Sequence, residues 1–191
     1  MFALYRSERP QPEQFLPRAR QTIARAPANV PYVVDNLWEW KRPLQFPCRR
    51  FSVFASPSVE TALKTGPAGG HACRLELSGD FVIAQIHVKE SKKHTECESL
   101  RKLLFGLLGQ SWLEAPLKAR QHAGRLFIPC LKAAEVEHIF SRRPLAAIRD
   151  QMWEAIHYWD EADLIEGTDS RLHPTGEVFF EADTWRCLTT R

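Results

Sequence analysis

The sequence predicts an α+β fold in which a mixed or antiparallel sheet is covered by helices. Runs of alternating apolar residues, typical of strands, lie at 2–6, within 50–88 and again within 176–188. Apolar residues with helical spacing are concentrated in 98–160. Strands at both ends with helices between them argue against alternating βαβ units, and the sequence has no glycine-rich loop of the Rossmann or P-loop type.

The length and composition are those of an ordinary globular protein. A chain of 191 residues can bury one sizeable core, so we expect a single domain over 1–191. Hydrophobic residues make up 44% and charged residues 26% of the chain, which is typical of folded proteins. Because the helical pattern of 98–160 interrupts the strands, we expect that segment to be an insertion or a subdomain.

The elements of the first third follow from alternation and from proline. We expect a strand at 2–6, a short helix opening near Pro12, and an aromatic loop over 26–47 that four prolines interrupt. A second strand follows at 50–55, and the next helix, over 59–64, has Ser56 or Ser58 as its N-cap.

The remaining elements form two hairpins around a helical region. The Ser78–Asp80 segment is a turn signal between two strands, and Glu181–Asp183 joins two further strands at the end of the chain. The predicted elements are strands at 73–77 and 81–88, helices at 100–108, 133–140 and 145–159, a strand at 124–129, and strands at 176–180 and 184–188.

Several classes of protein are disfavoured by the composition. No window has the ~18–20 consecutive apolar residues of a membrane span, and the N-terminus does not resemble a signal peptide. Five cysteines without a C-x-x-C pair favour reduced thiols over disulfides or zinc. The net charge of +3 is too small to indicate nucleic-acid binding, and Arg49–Arg50 are expected to be solvated loop charges. We therefore expect a cytoplasmic protein, or one delivered into a target cytoplasm, that binds no membrane.

Three ordered fragments carry a resemblance to a known family. They are Leu4–Pro10, Val53–Ser58 and the final segment Gly176–Leu188. They resemble, in this order, three motifs of the cholera-toxin-like ADP-ribosyltransferases: an opening strand with an arginine, an aromatic-x-Ser-Thr-Ser strand end, and a last hairpin that holds the catalytic glutamate. The resemblance implies a sheet core of the ADP-ribosyltransferase type, with 98–160 as a helical insertion, and NAD as the substrate.

The resemblance also implies roles for individual residues. Glu177 would be the catalytic carboxylate, since cleavage of the nicotinamide–ribose bond develops positive charge that a carboxylate stabilises. The planar guanidinium of Arg6 would bind the pyrophosphate, Ser56 would brace Glu177, and Ser58 would hold the turn. The aromatic candidates for stacking on nicotinamide are Tyr5, Phe54 and Trp38. No metal is expected.

Departures from the family pattern bear on the acceptor. Thr175 stands where arginine-modifying members carry Glu or Gln, which argues against arginine as the acceptor. Pro57 replaces the middle residue of the Ser-Thr-Ser motif. We expect a macromolecular acceptor, in the first place a protein, with nucleic acid as an open alternative. Six tryptophans are many for this length, and some are expected to form a surface for a protein partner.

Two other functions stay open at this point. One is a non-catalytic interaction module, similar to an immunity or adaptor protein, that keeps a transferase-like sheet. The other, weaker one is an RNA or NAD-metabolising phosphotransferase with a related fold. The enzyme hypothesis predicts that Arg6, Ser56 and Glu177 converge on one cleft from adjacent strands, and side chains on opposite faces of the sheet would contradict it.

Overall fold

The fold is α+β, as the sequence predicts, and every strand pairing among the described residues is antiparallel. Of the two sheet types that the sequence left open, the antiparallel one is therefore observed. The structure is a computed structural model of the chain, and it describes residues 3–11, 15–88, 90–166 and 171–189.

The chain divides into two compact units, a sheet unit and a helical unit. The sheet unit comprises Met1–Ala24, Leu44–Ser91 and Glu161–Arg191, and the helical unit comprises Arg25–Pro43 and Lys92–Asp160. The helical unit thus contains the segment 98–160 that the sequence analysis separated. It also includes 25–43, which contributes a helix where a loop was expected.

Six strands and one helix are the regular elements of the sheet unit within the described residues. They are β1 (Tyr5–Glu8), β2 (Arg18–Ala19), β3 (Val53–Ala55), α2 (Val59–Thr65), β4 (His71–Ile86), β5 (Ala162–Leu164) and β6 (Glu177–Thr189). The helix that was expected to open at Pro12 lies partly outside the described residues, and residues 15 and 16, which are described, are not helical.

Two long strands, β4 and β6, form the centre of the sheet. The sequence analysis predicted two separate hairpins here, and this prediction is wrong, because both segments run straight through their expected turns and pair with each other. The pairing changes register between Ser78 and Phe81. Gly79 has φ +77°, and the backbone N–H of Asp80 donates to the Asp183 carboxylate over 2.9 Å. The turn-forming residues therefore make a bulge within a continuous strand.

The shorter strands close this ladder into a ring. β1 pairs with one half of β4, and β3 pairs with the opposite half of β6. Tyr5 and Ser56 exchange two backbone hydrogen bonds of 2.9 and 2.7 Å, which join β1 to the chain that continues β3. The path β1–β4–β6–β3 therefore returns to β1, while β2 and β5 pair with β6 and β4.

Alternate residues of these strands build one hydrophobic core. Side chains two apart along a strand share a face, and the buried cluster contains every second residue on either side of the bulge. Its members are Leu4, Val53, Ala55, Cys73, Leu75, Ile83, Val178, Phe180, Ala182, Trp185 and Cys187. We call the face that carries them the core face.

The helical unit consists of short helices and 3₁₀ turns. Its α-helices are α1 (Tyr32–Lys41), α3 (Glu96–Glu114), α4 (Leu117–Gly124), α5 (Ala133–Phe140) and α6 (Arg149–Glu154). The strand predicted at 124–129 is wrong, because Arg125–Phe127 form a 3₁₀ turn after α4. The predicted helix over 145–159 is broken into the turn Leu145–Ile148, α6 and the turn Tyr158–Glu161.

Helix α1 replaces the expected aromatic loop. The prolines that suggested a loop lie outside Tyr32–Lys41, so none of them interrupts the helical hydrogen bonds. Its Asn36 is fully buried, donates to the carbonyl groups of Leu126 and Ile128, and accepts from the N–H of Leu131. One side chain of α1 thus holds the irregular chain after α4.

The tryptophans stabilise the interior. Trp38 is fully buried and stacks on Tyr158 at 3.9 Å between ring centroids, and its Nε1 donates to Glu96. Trp40, Trp159 and Trp185 are buried as well. The expectation that Trp38 stacks on a ligand is therefore wrong. Trp112 and Trp153 are half-buried, so a partner surface that includes some of the tryptophans stays a prediction. Among the described helices, none has the length and apolar character needed to cross a bilayer.

The bulge leads to a prediction about stability. Gly79→Ala should lower the free energy of unfolding by about 1–2 kcal/mol, because a side chain disfavours a positive φ. In addition, the new Cβ would lie 2.6 Å from an Asp183 oxygen. The matched control is Gly106→Ala, where a Cβ meets nothing within 4 Å and alanine stabilises a helix by up to about 1 kcal/mol. Urea unfolding followed by circular dichroism measures both, and equal midpoints for wild type and Gly79→Ala would contradict this role of the bulge.

Candidate functional site

The three residues of the predicted site lie on neighbouring strands. Tyr5 of β1 pairs with Ser56, which directly follows β3, and Arg6 is the next residue along β1. Ala55 pairs with Val178 in antiparallel register, and the next pair in that register is Ser56 with Glu177. Across the sheet the strands therefore place Arg6, Ser56 and Glu177 next to one another in this order.

The side chains of Arg6 and Glu177 leave their strands on opposite faces. Arg6 is two residues after Leu4 and is paired with Cys73, so its side chain leaves β1 on the same face as theirs. Leu4 and Cys73 belong to the core face. Glu177 precedes Val178, which also belongs to the core face, so Glu177 and Ser56 are directed to the other side of the sheet. The expectation that all three side chains share a cleft on one face is therefore wrong, and this outcome counts against the enzyme hypothesis in the one-cleft form given above.

The guanidinium of Arg6 nevertheless ends between two strands. Its Nη1 donates to the carbonyl oxygen of Phe54 over 2.7 Å, and its Nε donates to Glu8 over 2.8 Å. Because the N–H and C=O of Ser56 both point to β1, those of Phe54, two residues earlier, point the same way. The tip of Arg6 thus lies in the gap that opens where β1 and β3 separate.

Glu177 is held in a hydrogen-bonded ion pair. Its Oε1 accepts from Arg49 over 2.9 Å and from the hydroxyl of Ser91 over 2.6 Å, and its Oε2 accepts from the Ser91 backbone N–H over 3.3 Å. The side chains of Glu177 and Arg49 are only 16% and 9% exposed. The bracing contacts that were expected from Ser56 are made by Ser91 and Arg49.

Arg49 is therefore an integral part of this site. The prediction that Arg49 and Arg50 are solvated loop charges is wrong, because Arg50 is buried and the Arg49 side chain nearly so. The guanidinium carbon of Arg49 lies 5.0 Å from the ring centre of Phe54 and 5.3 Å from that of Phe179. Phe54 and Phe179 are paired across β3 and β6, with ring centres 6.2 Å apart and ring planes tilted by 42°, and the guanidinium lies over both rings.

The other predicted site residues have identifiable local roles. Ser58 is the N-cap of α2, and its hydroxyl accepts from the N–H of Thr61 over 3.2 Å. Ser56 is buried and Tyr5 is half-buried, and they form the bridge between β1 and β3. Phe54 is half-buried on the Glu177 side of the sheet, where its ring already contacts Arg49.

On the side of Arg6 the structure has an open cleft of about 510 Å³. It is lined by Arg6, Ser7, Glu8, Arg9, Gln11, Leu16, Pro17, Arg18 and Pro67; we call it the arginine cleft. Glu8 receives two hydrogen bonds of 2.7 Å from the fork of Arg18, whose guanidinium carbon also lies 4.6 Å from the Trp185 ring centre. With more arginines than carboxylates in its walls, the cleft suits an anionic group.

The pKa of Glu8 reflects this arrangement. Burial raises the pKa of the carboxyl group, but the hydrogen bonds and charges of Arg18 and Arg6 outweigh burial, so the pKa lies below its usual value. Glu8 is therefore ionised at neutral pH and fixes both guanidinium groups. Elsewhere among the described residues, no three His, Cys, Asp or Glu side chains are placed to hold a metal ion.

The lowered pKa predicts how stability depends on pH. A depressed carboxyl pKa stabilises the fold above the unfolded-state pKa of about 4.3, and this contribution is lost as the pH falls through the folded-state value. Glu8→Gln should therefore lower the free energy of unfolding by about 2 kcal/mol at pH 7. The difference from wild type should shrink as the pH falls below about 4.

Urea unfolding between pH 7 and pH 3 measures this difference. The control is Glu60→Gln, which removes the partner of Lys64 at a fully solvated i,i+4 pair and should change stability by less than about 0.5 kcal/mol. A difference between Glu8→Gln and wild type that is constant over this pH range would show that Glu8 is not the titrating group.

Comparison of the chain with protein-family models, with curated proteins and with solved structures found no significant match.

Proposed function

We propose that the chain is a mono-ADP-ribosyltransferase that transfers ADP-ribose from NAD to a macromolecular acceptor. The opposite faces of the Arg6 and Glu177 side chains rule out the single shared cleft that the sequence predicted. The observation that carries the proposal is therefore the adjacency of Arg6, Ser56 and Glu177 on three neighbouring strands. These residues come from distant parts of the sequence, and a chance set of three motif fragments has no reason to meet in the sheet. The acceptor is a protein in the first place, with nucleic acid as the alternative.

The chemistry assigned to Glu177 suits its surroundings. Loss of nicotinamide leaves an oxocarbenium-like ribose, which an ionised carboxylate stabilises. Ser91 fixes the carboxylate with both its hydroxyl and its N–H, so the orientation of the carboxylate is set before positive charge develops, whereas Arg49 has to release it. In this proposal Glu177 acts on the ribose, and Tyr5 or Phe54 contacts the nicotinamide ring.

The chemistry assigned to Arg6 uses the gap between β1 and β3. Two of its nitrogen atoms are bound by Phe54 and Glu8, which fixes the orientation of the guanidinium plane. The side chain is 30% exposed and borders the arginine cleft. In this proposal the pyrophosphate of NAD lies at the Arg6 end, and Ser58 fixes the turn that follows Ser56.

A second candidate function is a non-catalytic interaction module that keeps this sheet. The observation that favours it is the charge compensation of Glu177 by Arg49, together with the opposite faces of Arg6 and Glu177. In such a module the Arg49–Glu177 pair would join the loop after residue 47 to β6. The two candidates differ in whether the purified chain cleaves NAD.

The transferase proposal predicts a large effect of one conservative substitution. Glu177→Gln keeps the size of the side chain but removes its negative charge. It should reduce the rate of nicotinamide release from NAD by about 10²–10³-fold, the usual effect of losing one group that stabilises transition-state charge. The measurement is chromatographic detection of nicotinamide with purified protein, alone and with a cell extract as the source of acceptors.

The control is Glu76→Gln, which removes an exposed carboxylate that pairs with Arg186 on the same pair of strands. It should leave nicotinamide release unchanged. If the folded wild-type protein releases no nicotinamide under either condition, the transferase proposal fails and the interaction module stands. Release that is equal in wild type and Glu177→Gln would remove Glu177 from the mechanism.

A further inference from the structure

Two thiols lie in contact in the core of the sheet unit. Cys73 of β4 and Cys187 of β6 are 5% and 1% exposed, and their sulfur atoms are 2.7 Å apart. In the register of the ladder Cys187 lies opposite Leu75, so the two cysteines are diagonal neighbours. Both belong to the core face, which is why their side chains point at each other.

We propose that Cys73 and Cys187 are a modification site at which a peroxide forms a reversible disulfide. A disulfide bond of about 2.05 Å requires the two sulfur atoms to approach by only about 0.7 Å. Rotation about the side-chain bonds supplies a shift of this size without a change in the register of the strands. The proposal is independent of NAD chemistry.

The reaction balances with hydrogen peroxide as the oxidant. The thiolate of Cys73 attacks one peroxide oxygen, the O–O bond breaks, and the departing hydroxide takes up a proton to leave as water. The resulting sulfenic acid is attacked by the sulfur of Cys187, the S–O bond breaks, and a second water leaves as the S–S bond forms. Two thiols are oxidised, and one peroxide is reduced to two waters.

The surroundings favour Cys73 as the thiol that reacts first. Its hydrogen bond with Cys187 lowers the pKa of Cys73, the charges of Arg6 and Arg18 act in the same direction, and burial and the charge of Glu8 oppose them. The same hydrogen bond and burial raise the pKa of Cys187. Cys73 also lies opposite Arg6 in the β1–β4 register, and Arg6 lines the arginine cleft, so in this proposal peroxide reaches the sulfur from that cleft.

The disulfide would join the two central strands covalently. The residues that it links are more than 100 positions apart in the chain, and a link that closes so long a loop restricts the unfolded state strongly. The oxidised protein should therefore unfold at a higher temperature than the reduced protein. The hydrogen bond from the Cys73 thiol to the carbonyl of Arg6, at 3.3 Å, is lost in the disulfide.

The test is oxidation of the full chain with hydrogen peroxide, followed by titration of free thiols in denaturant. The titre should fall by two of the five cysteines, and dithiothreitol should restore it. Non-reducing peptide mapping by mass spectrometry should show the Cys73 and Cys187 peptides joined. The matched control, Cys97→Ser, removes a partly exposed cysteine of the helical unit and should still lose two thiols.

Cys73→Ala and Cys187→Ala should each abolish the paired loss. If either variant fails to fold, the peptide map of the wild-type protein decides alone. Retention of all thiols after peroxide treatment, or joined peptides that contain other cysteines, would overturn the proposal. Sulfinic acid at Cys73 without a link to Cys187 would overturn it as well.

Discussion

The antiparallel ladder between β4 and β6 is the constraint on which the sheet unit depends. Its pairing extends from Cys73 to Ile86 of β4 along the whole of β6 and is interrupted at the bulge around Gly79. β1 and β5 attach to one strand of the ladder, and β2 and β3 attach to the other. Because side chains alternate along each strand, this ladder also decides which residues face the core and which face away.

The same alternation places a charged cluster on each side of the sheet. On one side Glu177, Arg49 and Ser91 are joined by hydrogen bonds, and on the other Glu8 holds Arg6 and Arg18. Removing ionised groups from water costs several kcal/mol for each ion. Glu8 and Glu177 each accept three or more hydrogen bonds. These hydrogen bonds offset part of that cost. An arrangement that is costly for stability is a reasonable place to look for function.

The local elements were the part of the fold that the sequence could predict. The helices over 59–65 and 133–140 follow from a serine cap and from apolar spacing, which are properties of a few adjacent residues. The continuous strands could not be predicted in this way, because Ser78–Asp80 is compatible with both a hairpin turn and a bulge. Only the partner strand, which lies about 100 residues away in the chain, selects the bulge.

The candidate site was predictable to a similar degree. The three motif fragments predicted that Arg6, Ser56 and Glu177 lie on adjacent strands. The face on which each side chain lies depends on the register of every strand pair in the ring. The burial of Arg49 was not predictable, because burial of an arginine needs an acceptor that only the fold supplies. The sequence signal for Arg49 is its position directly before the predicted strand 50–55, which contains Phe51 and Phe54.

Arg49 determines what a reaction at Glu177 would require. A cation at 4 Å from a carboxylate gains about 4 kcal/mol at an effective dielectric constant of 20, but a guanidinium already bound to that carboxylate repels the cation by a comparable amount. The backbone before Arg49 is fixed, because the N–H of Cys48 donates to Glu181 over 2.6 Å and its carbonyl accepts from Ser52. Release of the carboxylate therefore has to come from rotation of the Arg49 side chain. The pyrophosphate position proposed at Arg6 is on the other face of the sheet, so this rotation has to be driven by a negative group that binds on the Glu177 side.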